Sequence, residues 1–266
     1  MSFSVSGKTA IVTGGANGIG LAIGRHLADK GANVMFADME EETLVEQLGE
    51  KPEDGPIRYF AGDLREKLTL ANLLSATIDA FDSIDILVNA SRQVVTSDPL
   101  NPDDDAVEML LEQNLMTALR LSQLVAKRMI KQSEGEDSPQ GGTIINLSSI
   151  ANGRAHPDLL AYGISSAAID QMTRSLAVAL APHRIRVNAL AFGSVMSRSL
   201  QETLKNHDEY RDDIEQHTPL GRIAACSELV DAVQFLASDG AGFMTGQIVT
   251  LDGGRSLVDP VTAPAH

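Results

Sequence analysis

The stretch Thr13-Gly14-Gly15-Ala16-Asn17-Gly18-Ile19-Gly20 follows an apolar, β-branched run and opens a helical pattern, a setting in which residue types and spacing can do chemistry. Glycines there let the chain turn tightly, and the free N–H groups of a helix start attract a pyrophosphate. A glycine-rich run alone is weak; Asp38, 24 positions past Gly14 at the end of the next strand pattern, makes it a dinucleotide signature. A carboxylate at that point accepts hydrogen bonds from both hydroxyls of an adenosine ribose and repels a 2′-phosphate. Behind it Met39-Glu40-Glu41-Glu42 offers no cation to clamp such a phosphate. The implied cofactor is NAD rather than NADP, held by Gly14, Asn17, Gly18, Ile19, Gly20 and Asp38. The competing role for Asp38 is to cap the helix that follows.

These residues need strands and helices to place them. Short apolar or β-branched runs at 8–13, 33–37, 57–61, 84–89, 143–147, 186–190 and 247–251 alternate with helical patterns at 18–30, 66–81, 102–132 and 159–180. Several runs are apolar without alternation, as in Ile84-Asp85-Ile86-Leu87-Val88, which suits strands covered on both faces. The order specifies an α/β fold, a doubly wound, parallel, Rossmann-like sheet of about seven strands with helices on both faces, forming a single domain over 1–266. Ligands of such a sheet bind at the carboxyl ends of its strands. Two segments break the rhythm. Residues 133–142 are acidic and rich in turn formers, and read as an exposed loop. Residues 194–223, polar but carrying Met196, Leu200 and Leu204, read as a helical lid over the pocket, with a surface excursion as the alternative.

Composition narrows the function further. With 43% apolar and 21% charged residues, 266 residues bury a sizeable core. The balance of 21 basic against 36 acidic residues gives −15, which repels phosphate backbones and anionic lipid, so neither nucleic acid nor a membrane is an expected partner. Cys226 stands alone, which excludes an intramolecular disulfide. No signal-peptide pattern opens the chain, and cytoplasm is the expected compartment. The histidines (His26, His156, His183, His207, His217, His266) show no ligand spacing on one helix face, so no metal is expected.

Further motifs occur in a recognisable order: Asp63-Leu64 after the third strand, Asn114 in the fourth helical pattern, Ile145-Asn146-Leu147-Ser148-Ser149, then Tyr162 and Arg186-Val187-Asn188. The closing run holds Phe235-Leu236-Ala237-Ser238, Thr245-Gly246-Gln247 and Leu251-Asp252-Gly253-Gly254. With the Thr-Gly-x-x-x-Gly-x-Gly loop they make the chain resemble the short-chain dehydrogenase/reductase family over nearly its whole length. The branch is similar to 3-oxoacyl-acyl-carrier-protein reductases and to sugar or steroid dehydrogenases. The resemblance implies that Ser149 hydrogen-bonds the substrate oxygen and that Tyr162, thirteen positions on, is the general acid or base. It also implies that Asp63 meets the adenine, that Leu64, Asn89 and Tyr162 belong to the cofactor site, and that Asn114 holds a proton-relay water. The alternative for Asn114 is a helix asparagine bonded to backbone. A homo-oligomer, tetramer or dimer, would form through 102–132, 159–180 and 247–258.

The departures from the family pattern fall where the reaction belongs. The lysine of Tyr-x-x-x-Lys is Ser166, in ungapped register. The Asn-Asn-Ala-Gly motif reads Asn89-Ala90-Ser91-Arg92, and the Pro-Gly after the sixth strand reads Phe192-Gly193. In the family that lysine holds ribose hydroxyls and favours the tyrosinate; a unit charge about 4 Å away at an effective dielectric of about 20 contributes roughly 4 kcal/mol. Without it tyrosinate is scarce near neutrality and alcohol oxidation is slow. Ser166 can donate a hydrogen bond to a ribose but brings no charge. Arg92 is the candidate substitute, able to reach Tyr162 or a substrate carboxylate, against the default of a loop cation facing solvent. Arg154 and His156, between Ser149 and Tyr162, are anion-binding candidates or ordinary loop residues. The expected function is NAD(H)-dependent interconversion of a hydroxyl and a carbonyl on a small substrate, with weakened catalysis; the alternative is a non-catalytic NAD-binding or structural subunit.

Overall fold

A computed structural model describes residues 3–49, 55–134, 141–207 and 209–259. Its strands are β1 (Thr9–Thr13), β2 (Asn33–Asp38), β3 (Ile57–Ala61), β4 (Ile86–Asn89), β5 (Gly142–Ser149), β6 (Ile185–Phe192) and β7 (Ile248–Leu251). All pair in parallel in the order β3-β2-β1-β4-β5-β6-β7, so the direction of winding reverses between β1 and β4. In sheets of this kind the crevice outside the carboxyl ends at that reversal is where ligands bind.

Successive strand residues point to opposite faces, and each face carries its own apolar layer. Val12, Phe36, Val88 and Ile145 pack under α1 (Gly18–Asp29), α2 (Glu41–Leu48) and a C-terminal helix at Cys226–Ala237. Ile11, Met35, Leu87 and Ile144 pack under α3 (Lys67–Phe81) and the helices Thr117–Gln132 and Leu160–Leu180. This two-sided burial is why these runs are continuously apolar. The sheet is therefore the single Rossmann-like α/β domain that the alternation predicts.

Some expected elements differ in detail. The helical pattern at 102–132 begins only at α4 (Ala106–Leu110), because Asp104 takes the backbone N–H groups of Asp98 and Ala106 and fixes a turn ahead of it. A π-helical turn at Leu111–Met116 then separates α4 from α5 (Thr117–Gln132). β5 and β6 each run to a later residue than their apolar patterns do, to Ser149 and Phe192, and their register sets those two side by side. Segment 194–223 is helical: Ser197 accepts the Leu200 N–H to start α7 (Arg198–Asn206), and α8 (Glu209–Gln216) follows. Of its apolar residues, Leu204 is buried, and Met196 and Leu200 are half-buried. α6 is Leu160–Leu180 and α9 is Cys226–Ala237. Most of the loop expected at 133–142 lies outside the described residues. Among the described residues no helix is long and apolar enough to cross a membrane.

Candidate active site

The glycine loop joins β1 to α1 under tight steric limits. Gly14 has φ +65°, and a Cβ there would lie 2.9 Å from Ser91 Cα; at Gly20 it would lie 2.1 Å from the Gly14 carbonyl oxygen. Thr13 Oγ1 accepts the N–H groups of Ala90 and Ser91, both at 3.0 Å, and so fastens the end of β1 to the loop after β4. Asn17, which precedes α1, makes no side-chain capping bond, and the first turn carries no acid. The unclaimed N–H groups of that turn border a cleft of about 440 Å³ whose lining includes Gly14, Asn17, Gly18, Ile19, Gly20, Asp38, Asp63 and Leu64. A phosphate-bearing dinucleotide fits this donor set.

Asp38 is fixed at the same edge. Its Oδ2 accepts the Ala16 N–H at 3.0 Å and its Oδ1 the Glu40 N–H at 3.2 Å, while Glu40 rather than Asp38 occupies the capping position of α2. Arg65 also lines the cleft, a cation that inspection of the residues just after Asp38 misses. It is already engaged: its Nε and Nη2 donate to both oxygens of Asp63 at 2.6–3.0 Å. Those bonds hold the Asp63 carboxyl below its ordinary range.

The second half of the site lies beyond the ends of β4, β5 and β6. Tyr162, near the start of α6, is buried at 5% exposure. With Ser149, Phe192, Arg154, His156 and Arg255 it lines a second cavity of about 320 Å³. Ser149 Oγ accepts the Ala151 N–H at 3.2 Å. Arg92 belongs to the wall of the dinucleotide cleft, yet its guanidinium carbon sits 4.2 Å from the centroid of the Phe192 ring. From there Nη1 donates to Tyr162 Oη at 2.5 Å and to the Ser148 carbonyl at 3.4 Å. The default of a solvent-facing Arg92 is thus corrected: an aromatic platform and two oxygen acceptors draw the side chain inward.

The remaining expected residues sit behind this surface. Ser166 is buried, and its Oγ donates to the Tyr162 carbonyl at 2.8 Å, so its proton is committed within α6 and it lines neither cavity. Asn89 is buried too; its amide donates to Ser122 Oγ and Asn146 Oδ1, tying β4 to α5 and β5, and it is not among the residues lining the cleft. Asn114, in the π-helical turn, bonds the Gln93 N–H and carbonyl at 2.8 and 3.0 Å and reaches Ser165 Oγ at 3.3 Å. These bonds brace the loop that carries Arg92. The described residues hold no cluster of metal-binding side chains.

The enoyl-(acyl carrier protein) reductase family model matches residues 14–256. The chain belongs to the short-chain dehydrogenase/reductase family. Among relatives of this family, a 7alpha-hydroxysteroid dehydrogenase of Clostridium sardiniense is 32% identical over 262 residues, 96% of each chain. A 3-oxoacyl-(acyl-carrier-protein) reductase of Chlamydia trachomatis is 31% identical over 268 residues, 96% of this chain and all of its own. Among solved structures, a gluconate 5-dehydrogenase from Burkholderia cenocepacia in complex with NADP and tartrate superposes with a TM-score of 0.85 at 28% identity, covering 97% of this chain and 98% of its own. Membership in the short-chain dehydrogenase/reductase family makes the protein an oxidoreductase of nicotinamide-cofactor type.

Proposed function

We propose that the protein interconverts a hydroxyl and a carbonyl group on a small substrate with NAD(H), using Tyr162 as proton donor and acceptor, Ser149 to orient the substrate oxygen, and Arg92 as the charge beside them. The observation that carries this reading is the 2.5 Å hydrogen bond from Arg92 to Tyr162 Oη, where the dinucleotide cleft meets the second cavity.

The positions that depart from the family pattern converge on that bond. Ser166 puts no cation one turn after Tyr162 on α6, Arg92 brings one from the loop after β4, and Phe192 supplies the surface on which it rests. In a half-buried site the charge of a guanidinium is less screened than in water. Arg92 therefore sets a donor and a positive charge at the oxygen that exchanges the proton, which offsets the loss expected from Ser166. Ser149 Oγ, already accepting from Ala151, keeps its own proton to donate to a substrate oxygen. When bound, the nicotinamide supplies the hydride acceptor or donor. Tyr162 takes up the proton released by an alcohol, or returns it to a carbonyl.

Preference for NAD rests on Asp38, whose anchored carboxylate opposes a 2′-phosphate, and on Arg65 being committed to Asp63. Segment 194–223 acts as the lid: Ser197 and Ser199 line the cleft and Ser194 the cavity. Self-association is supported by exposed apolar residues near the edge strand and on α6, among them Phe243, Leu257 and Val178. A non-catalytic subunit has no observation in its favour beyond Ser166. Calorimetric titration with NADH and NADPH tests the cofactor: NADH binding at least tenfold tighter is expected, and equal or tighter NADPH binding overturns the preference.

A further inference from the structure

Resting on the reading of Tyr162 as the reacting hydroxyl, we propose that the cavity beside it selects a compact substrate carrying a carboxylate, with Arg154 and Arg255 as the groups that bind it. The chain carries 36 acidic against 21 basic residues, yet no Asp or Glu lines this cavity, while Arg154, His156 and Arg255 all do. These side chains come from separate parts of the fold, Arg154 and His156 from the loop after β5 and Arg255 from the turn after β7, so no single helix face accounts for them.

The partners of the two arginines leave them able to bind an anion, while His156 Nδ1 accepts the Asp158 N–H. Arg255 is half-buried and steadied by one hydrogen bond to Ser194 Oγ at 3.1 Å. Asp252 lies outside the lining; its oxygens accept the Gly254 and Ser256 N–H groups, and Arg255 is also attracted to its charge. Arg154 is exposed, lines the cavity and makes no side-chain hydrogen bond or ion pair among the described residues, so its guanidinium is available to an incoming anion. A guanidinium offers a planar fork of donors matched to a carboxylate, and such bonds are roughly twice as strong as neutral ones. The volume, about 320 Å³, lies at the small end of ligand pockets, which run from roughly 300 to 1,000 Å³. A short hydroxy acid or sugar acid fits.

The test uses the full chain saturated with NADH or NAD. Binding and turnover of lactate, glycerate and gluconate are compared with 1,2-propanediol, glycerol and sorbitol, which keep the hydroxyls and lack the charge. The expectation is that at least one acid binds and is oxidised with a KM at least tenfold below that of its neutral counterpart. Arg154→Gln, which breaks no contact within the protein, should raise that KM about tenfold while kcat changes much less. Neutral polyols used as well as the acids, an unchanged KM in Arg154→Gln, or no binding of any acid to the NADH-loaded protein would overturn the inference while leaving the proposed redox function standing. Failure of NADH itself to bind would overturn that function instead.

Discussion

The two halves of the crevice obey the family pattern to different degrees. Around β1, β2 and β3 the dinucleotide cleft keeps its loop, its unclaimed helix donors and its carboxylate, and each is fixed by backbone geometry: Gly20 admits no Cβ within 2.1 Å of a carbonyl oxygen, and Asp38 is pinned by two N–H groups. Around β4, β5 and β6 the backbone is as regular, but the side chains that would act on a substrate are rearranged about Tyr162. A cofactor loop tolerates little change because main-chain atoms do the binding. A charge beside a hydroxyl can be delivered from any element within reach of a long side chain.

The sharpest break between the halves is Tyr162→Phe. It should lower kcat by about a thousandfold, within the range of lost acid–base catalysis, while NADH affinity by calorimetry stays within a few-fold. A comparable loss of NADH binding would mean that the halves are not separable. Next comes Arg92→Gly, expected to cost about a hundredfold in kcat, with Arg92→Lys recovering part of it because charge rather than shape is what matters. Asp38→Asn probes the other half: NADH affinity should fall about tenfold and the gap to NADPH should close, with kcat at saturating cofactor little altered.

The smallest effect belongs to the frame behind both halves. Arg222 forms two hydrogen bonds with Glu228, which also accepts the Ala225 N–H at the start of α9, and the bonds from Arg222 are the main cause holding its carboxyl at about 2 instead of 4.5. A carboxyl lowered in the folded state stabilises above its unfolded value and loses that contribution as pH falls. Glu228→Gln should therefore lower Tm slightly at neutral pH, and the difference should shrink as pH drops from about 4.5 towards 2. A constant difference across that window would assign Glu228 a packing role only.

The same contrast decides what was legible in the sequence. The seven parallel strands follow from unbroken apolar runs, and Gly14, Gly20 and Asp38 from a motif whose spacing is set by a strand, a turn and a helix. The π-helical turn at Leu111–Met116 lies inside the single helical pattern at 102–132, since one wider turn does not interrupt a helical run of residues. Arg65 was hidden because it enters the cleft from the loop after β3, not from the acidic run after β2. The place of Arg92 was illegible for a non-local reason: its platform, Phe192, is set beside Ser149 by the β5–β6 register, more than forty residues apart in the chain. Ser166 announces a missing charge, but only the folded chain brings the cation proposed to replace it, Arg92, against Tyr162.

That replacement is best tested by NAD reduction over the acid and polyol panel, comparing wild type, Arg92→Gly, Ser166→Lys and the double variant. Arg92 as the working cation predicts measurable wild-type turnover, a loss of about a hundredfold in Arg92→Gly, and substantial recovery when Ser166→Lys is added to it, with Ser166→Lys alone giving no gain. Turnover that rises when Arg92 is removed, or that is absent from the wild type while Ser166→Lys creates it, would contradict the account and make Arg92 an obstruction in the site.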